Sequence, residues 1–178
     1  MRKAPATEQE INGNFEKYES CREAWARIEQ AQVNDFFLEA ITIQESIISD
    51  RLISFLSRPG ASNSFISNPK KRKFTSFGLL IAAWREEFPN GIKCPKIIDE
   101  DLKIMSEDLI EEVDLWRFSR NDAIHAIVKS EPGTATQPID EFLQIAKEVA
   151  ERGTELAKAV CTWRKSKKRE QNSKPASI

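Results

Sequence analysis

Arg120, Asn121 and His125 stand within "SRNDAIHAIVK", residues 119–129, and His125 is the only histidine in a chain of 178 residues. An imidazole titrates near neutral pH and can take up or release a proton. A guanidinium offers a planar fork that matches two oxygens of a phosphate. Together they suit proton transfer beside an anionic centre. A single histidine, however, cannot act as base and acid in the same step.

The local pattern decides how such residues are carried. At about 100° per residue, Ala123, Ile124, Ile127 and Val128 fall on one helical face and pack inward. Asn121, His125 and Lys129 share a flank away from it, so a core histidine fits poorly. Arg120 would project through the apolar face, a costly place for a charge. Two arrangements relieve it. A helix starting at Ser119, with Asp122 completing a capping-box-like pattern, puts Arg120 at the first helical position, where a phosphate is also favoured. Alternatively residues 106–129 form one helix, with Arg120 buried at a subunit contact.

The rest of the chain reads as helical, with no period-2 strand of useful length. An amphipathic stretch spans Phe15 to Gln32, with Phe15, Tyr18, Trp25 and Ile28 at helical spacings. The next opens at Asn34 or Asp35 as N-cap and closes before Pro59-Gly60. Its expected stripe is Phe36, Phe37, Ala40, Ile41, Ile47, Ile48, Leu52, Phe55 and Leu56. A polar segment, "RPGASNSFISNPKKRK", leads to a short helix over 75–88 with Thr75 as cap. A further helix starts near Asp99 and carries Leu102, Met105, Leu109, Ile110, Val113 and Trp116 toward the motif. In the last helix Ile139, Phe142, Ala146, Val149, Gly153, Leu156, Val160 and Trp163 alternate at spacings of three and four, a heptad-like seam that packs within the domain. Gly153 weakens that helix and admits a close neighbour. The expected fold is all-α, a compact bundle of about five helices, with a flexible N-terminus over 1–14, one domain over 15–163 and a basic, disordered tail over 164–178.

Composition narrows the functional classes. Net charge is −1, so no global basic field is available to hold nucleic acid. Basic residues are concentrated instead in "KKRK" (Lys70, Lys71, Arg72, Lys73) and "RKSKKR" (164–169), opposite an acidic stretch over 98–114. Each run reads first as solvated surface, and the first is also a candidate RNA-binding segment through phosphate contacts. Three cysteines far apart and without a CxxC pair fit reduced thiols in a cytoplasm. The longest uncharged apolar run, "FGLLIAAW", is too short to span a bilayer, and no secretory signal is read at the N-terminus. No GxxxxGK, GxGxxG or GxSxG pattern occurs, and one histidine with scattered cysteines leaves a zinc site short of ligands. Neither a metal nor another cofactor is expected.

An arginine, a polar residue directly after it and a histidine five positions on, in an all-α chain of this size, resemble the HEPN superfamily of helical bundles. Its ribonucleases carry an R-x4-6-H motif. The resemblance covers about residues 34–163 and matches Arg120, Asn121 and His125. It implies a homodimer whose two motifs meet in one cleft, supplying two histidines and two arginines. It also implies a metal-independent endoribonuclease using 2′-hydroxyl attack, in the manner of a toxin or antiviral defence effector, with a neutralising antitoxin or recruiting protein as a further partner. Asn121 would orient His125 or contact phosphate. Glu45, Asp50 and Arg51 are candidates for polar help from the first long bundle helix, with ordinary surface charge the preferred reading of each. The alternative is a non-catalytic helical module that dimerises or binds a protein or nucleic acid; the Arg-Asn…His pattern favours the nuclease.

Overall fold

The computed structural model describes residues 8–58, 76–94, 106–126 and 138–173. Within them the chain forms α1 (Glu8–Val33), α2 (Phe37–Leu56), α3 (Phe77–Glu87), α4 (Leu109–Ala126) and α5 (Ile139–Ser173). The described residues contain no strand; Lys93 and Asp108 form an isolated antiparallel bridge. The all-α bundle expected from periodicity is the observed architecture. No helix among the described residues is long and apolar enough to cross a membrane.

α2 is the central element, packing against α5, α1 and α3, while α4 packs against α5 and α3. Its inward stripe is as expected from Phe37 to Leu56, with one addition, Gln44, and one loss, Phe36. Phe36 is 61% exposed because it ends a turn instead of joining the helix. That turn also revises the roles of Asn34 and Asp35. The Phe36 amide donates to the Ala31 carbonyl (2.8 Å) and the Asp35 amide to that of Gln32 (3.3 Å), while Asp35 has φ 60°. This is the Schellman closure of a helix C-terminus, with aspartate where glycine usually stands. Asn34 adds a bond from Nδ2 to the Gln30 carbonyl (2.7 Å). Both residues therefore terminate α1, and α2 starts without a side-chain cap.

Other boundaries shift for equally local reasons. Ser76, in extended conformation, caps α3 by accepting from the Leu79 amide (3.4 Å); Thr75 lies outside the described residues. Residues 106–108 are not helical, so α4 begins at Leu109 and not near Asp99. There the Asp108 carboxylate accepts from the amides of Ile110 (3.0 Å) and Ile92 (2.8 Å), tying the connection to the helix start. Residues 99–105, with Leu102 and Met105, lie outside the described residues.

The α5 seam is buried from Phe142 to Trp163, whereas Ile139 is exposed. Gly153 lies against α2 and α4 at once: a Cβ there would collide with Gln44 Oε1 and lie 2.7 Å from Trp116 Cζ2. Trp116 is pinned by donating Nε1–H to the Val149 carbonyl (2.9 Å). Gln44 donates from Nε2 to the Ala150 carbonyl and to Thr154 Oγ1, both at 2.8 Å. On α1, Ile28 is buried but Phe15 and Tyr18 are exposed, because tight packing of this helix begins only around Ala24 and Trp25. The chain departs from the expected termini at both ends. α1 already includes residues 8–14, and α5 continues through Ser173, so residues 164–173 extend a helix instead of starting a disordered tail.

Candidate active site around Arg120 and His125

Between the two arrangements possible for Arg120, the chain adopts the continuous helix. Ser119 does not cap: its hydroxyl donates back to the Leu115 carbonyl one turn earlier (3.3 Å). Arg120 therefore lies mid-helix on the inward side, and its charge is met by an ion pair with Glu45 of α2. Both side chains are mostly covered, at 23% and 20% exposure. Within this chain, then, the counter-charge answers the cost of placing a guanidinium on an apolar face. Arg120 Nη1 also donates to Asn121 Oδ1 (2.6 Å), while its Nε is buried without a hydrogen-bond partner.

His125 follows a different course. Five residues on a helix turn it about 140° from Arg120, and its side chain is exposed. It makes no hydrogen bond or ion pair among the described residues, and Asn121 is turned to Arg120, not to the imidazole. Ala123 is buried and Ile124 packs against the core, as expected; Ile127, Val128 and Lys129 lie outside the described residues. The outward face of α4 that carries His125 also carries Phe118, 54% exposed, with the Arg117 guanidinium 4.0 Å from its ring centroid.

Of the three polar candidates on α2, Glu45 joins Arg120, whereas Asp50 pairs with Lys17 (2.8 Å) and Arg51 (3.3 Å). Arg51 in turn donates to Cys21 Sγ (3.0 Å). The candidate RNA-binding residues Lys70, Lys71, Arg72 and Lys73 lie outside the described residues. No cluster of histidine, cysteine, aspartate and glutamate suited to a metal ion occurs among the described residues.

A second charged contact escaped the sequence reading. Glu112, 2% exposed, pairs with Arg152 of α5 and accepts from the Ser106 amide (2.5 Å). The "EDLIEE" stretch resembles a solvated helix, and only the inward position of Glu112, beside Val113 and Trp116, distinguishes it. Behind the motif, α4 is thus fastened to α2 by Glu45–Arg120 and to α5 by Glu112–Arg152. Chemically, the result is a fixed guanidinium beside a carboxylate and, round the helix, a free imidazole. A phosphate reaching Arg120 must compete with Glu45.

Comparison with protein-family models, curated proteins and solved structures gave no match.

Proposed function

We propose that the chain is a metal-independent endoribonuclease of HEPN type, acting in the cytoplasm as a toxin or antiviral effector. The observation that carries this reading is the division of labour on α4. Arg120 is immobilised by Glu45 and Asn121, while His125 is exposed and unpartnered on a face shared with Phe118. One copy offers one imidazole. A homodimer joined around the α4 faces offers two, and the exposed Phe118 gives that contact an apolar anchor.

In the composite site, one His125 takes the proton from the ribose 2′-hydroxyl as its oxygen bonds to phosphorus. The other, protonated, donates to the departing 5′-oxygen as the P–O5′ bond breaks. The products are a 2′,3′-cyclic phosphate and a 5′-hydroxyl. Arg120 is held inward by Glu45, about 140° round α4 from His125. It must leave that ion pair and swing toward the His125 face as the phosphate arrives, where it binds the non-bridging oxygens and stabilises their growing charge. A neutralising antitoxin would act by covering the same face.

The test is single-turnover cleavage of RNA in EDTA, with end-group analysis, alongside light scattering for the dimer. Chelation-resistant cleavage giving cyclic phosphate ends, abolished by His125→Ala, supports the reading. A strict monomer that cuts, 5′-phosphate products or full activity in His125→Ala overturns it. The engagement of Arg120 by Glu45 favours one other reading, a non-catalytic binding module in which Arg120 is architectural. It predicts no cleavage by the wild-type chain and a dimer or partner contact sensitive to Phe118→Ser.

A further inference from the structure

A cleft of about 450 Å³ opens between α1, α2 and the C-terminal half of α5, sharing no lining residue with the Arg120–His125 region. Five of its lining residues are cations: Lys17, Arg51, Arg164, Lys165 and Lys168, with the indole of Trp25 among the others. Opposing carboxylate is scarce. Asp50 serves both Lys17 and Arg51, and among the described residues Arg164, Lys165 and Lys168 make no ion pair.

Arg164 is the least satisfied of these groups. Its Nη2 reaches the Ser54 carbonyl at 3.4 Å, whereas Nε and Nη1 are buried without a hydrogen-bond partner. Burial, then repulsion from Arg58 and Arg51, pushes its pKa below the ordinary value. An arginine does not shed its proton in response; the strain is relieved when an anion enters. Arg51 is already held in place by Asp50 and the Cys21 thiol, so the cleft has a fixed cation to build on.

We propose that this cleft binds the oligophosphate group of a small ligand. Its phosphates bridge Arg51, Arg164, Lys165 and Lys168, joining α2 to α5. The volume is within the range of small-molecule sites and lets several phosphate oxygens meet converging donors. Trp25 at the wall offers a stacking surface for a base, which separates a nucleoside triphosphate from an inorganic oligophosphate as the natural source.

Titration calorimetry of the full chain with tripolyphosphate, ATP and adenosine tests this. Saturable binding of tripolyphosphate, one per chain, is expected, with no detectable binding of adenosine. If the ligand is a nucleotide, ATP binds more tightly than tripolyphosphate, and Trp25→Leu removes only that excess. Equal affinities for the two assign the site to inorganic oligophosphate. Lys165→Ala with Lys168→Ala, both at exposed positions where truncation leaves the core intact, should weaken binding about tenfold or more. Lys17→Ala, from a different helix, should weaken it too, while Arg22→Ala on the outer surface of α1 should not. The proposal is overturned if neither phosphate compound binds saturably. It is also overturned if Arg22→Ala weakens binding as much as the lysine variants, or if only a single-stranded RNA oligomer occupies the cleft. None of these readouts involves RNA cleavage, so the outcome is independent of the nuclease reading.

Discussion

Gly153→Ala should destabilise the bundle although alanine is the better helix former. In isolation the exchange would favour α5 by about 1 kcal/mol. Here the new methyl must displace Gln44 Oε1 and Trp116 Cζ2, the latter only 2.7 Å away. Trp116 is fully buried and fixed by its bond to Val149, so it cannot turn aside cheaply. Overpacking of this kind costs about 1–3 kcal/mol. Moving Gln44 also strips the bonds to Ala150 and Thr154 from an amide with no access to water, about 1–3 kcal/mol more. Midway, after subtracting the helix gain, the loss is about 3 kcal/mol, or roughly 6–12 °C in Tm for a chain of this size. Thermal and urea unfolding, followed by circular dichroism, read it directly. Gly153→Ala in a Gln44→Ala background should cost much less, since the methyl then has room. A single variant as stable as wild type, or more stable, would refute the packing of Gln44 and Trp116 against Gly153.

Four further outcomes are expected. His125→Ala should abolish cleavage with a melting curve within about 0.5 kcal/mol of wild type, and Arg120→Lys should be severely impaired because lysine lacks the fork that meets two phosphate oxygens; single-turnover rates and melts separate these effects. Asp35→Gly should stabilise the chain by about 0.5–1 kcal/mol, since the left-handed conformation that ends α1 costs aspartate but not glycine, and urea unfolding measures it. Burial, reinforced by Glu112, Asp108 and Glu107, raises the Cys94 pKa to about 11. Its folded thiol therefore stays protonated while an unfolded one ionises, so its contribution to stability declines as pH rises above 9.0 toward 11. Iodoacetamide labelling of Cys94 in the native chain should accordingly rise with pH near 11 and lag behind that of urea-unfolded protein at pH 8–9; equal rates would refute it.

The helices and most of the core were legible because they rest on local periodicity. The α5 seam and the α2 stripe depend on which residues share a face, and a linear pattern displays that directly. Asn34 and Asp35 read as a helix start in the sequence yet close α1, because the same short polar side chains serve both to open helices and to adopt the left-handed turn that ends them. Composition alone hides the end of α5: "KKREQNS" has no apolar stripe, yet most of its residues are good helix formers and extend α5 beyond the core. Arg120 was conspicuous as a charge on an apolar face. Its partner was not, since Glu45 looks like surface charge until α2 and α4 are brought together. Gln44 and Glu112 were invisible for the same reason: polar residues inside helices reveal their burial only through the neighbouring helix.

The aromatic cluster beside the basic cleft makes the chain its own optical gauge. The rings of Trp84 and Trp163 lie 4.9 Å apart at 54°, close enough for their electronic transitions to couple into a circular-dichroism couplet. Its sign and size follow the mutual tilt of the two indoles. Trp163 also lies 4.7 Å from Phe55, and the Arg164 guanidinium is 5.7 Å from that same ring. An anion that shifts Arg164 within the cleft, away from the Phe55 ring, would therefore alter the surroundings of this stack and a signal readable without any label.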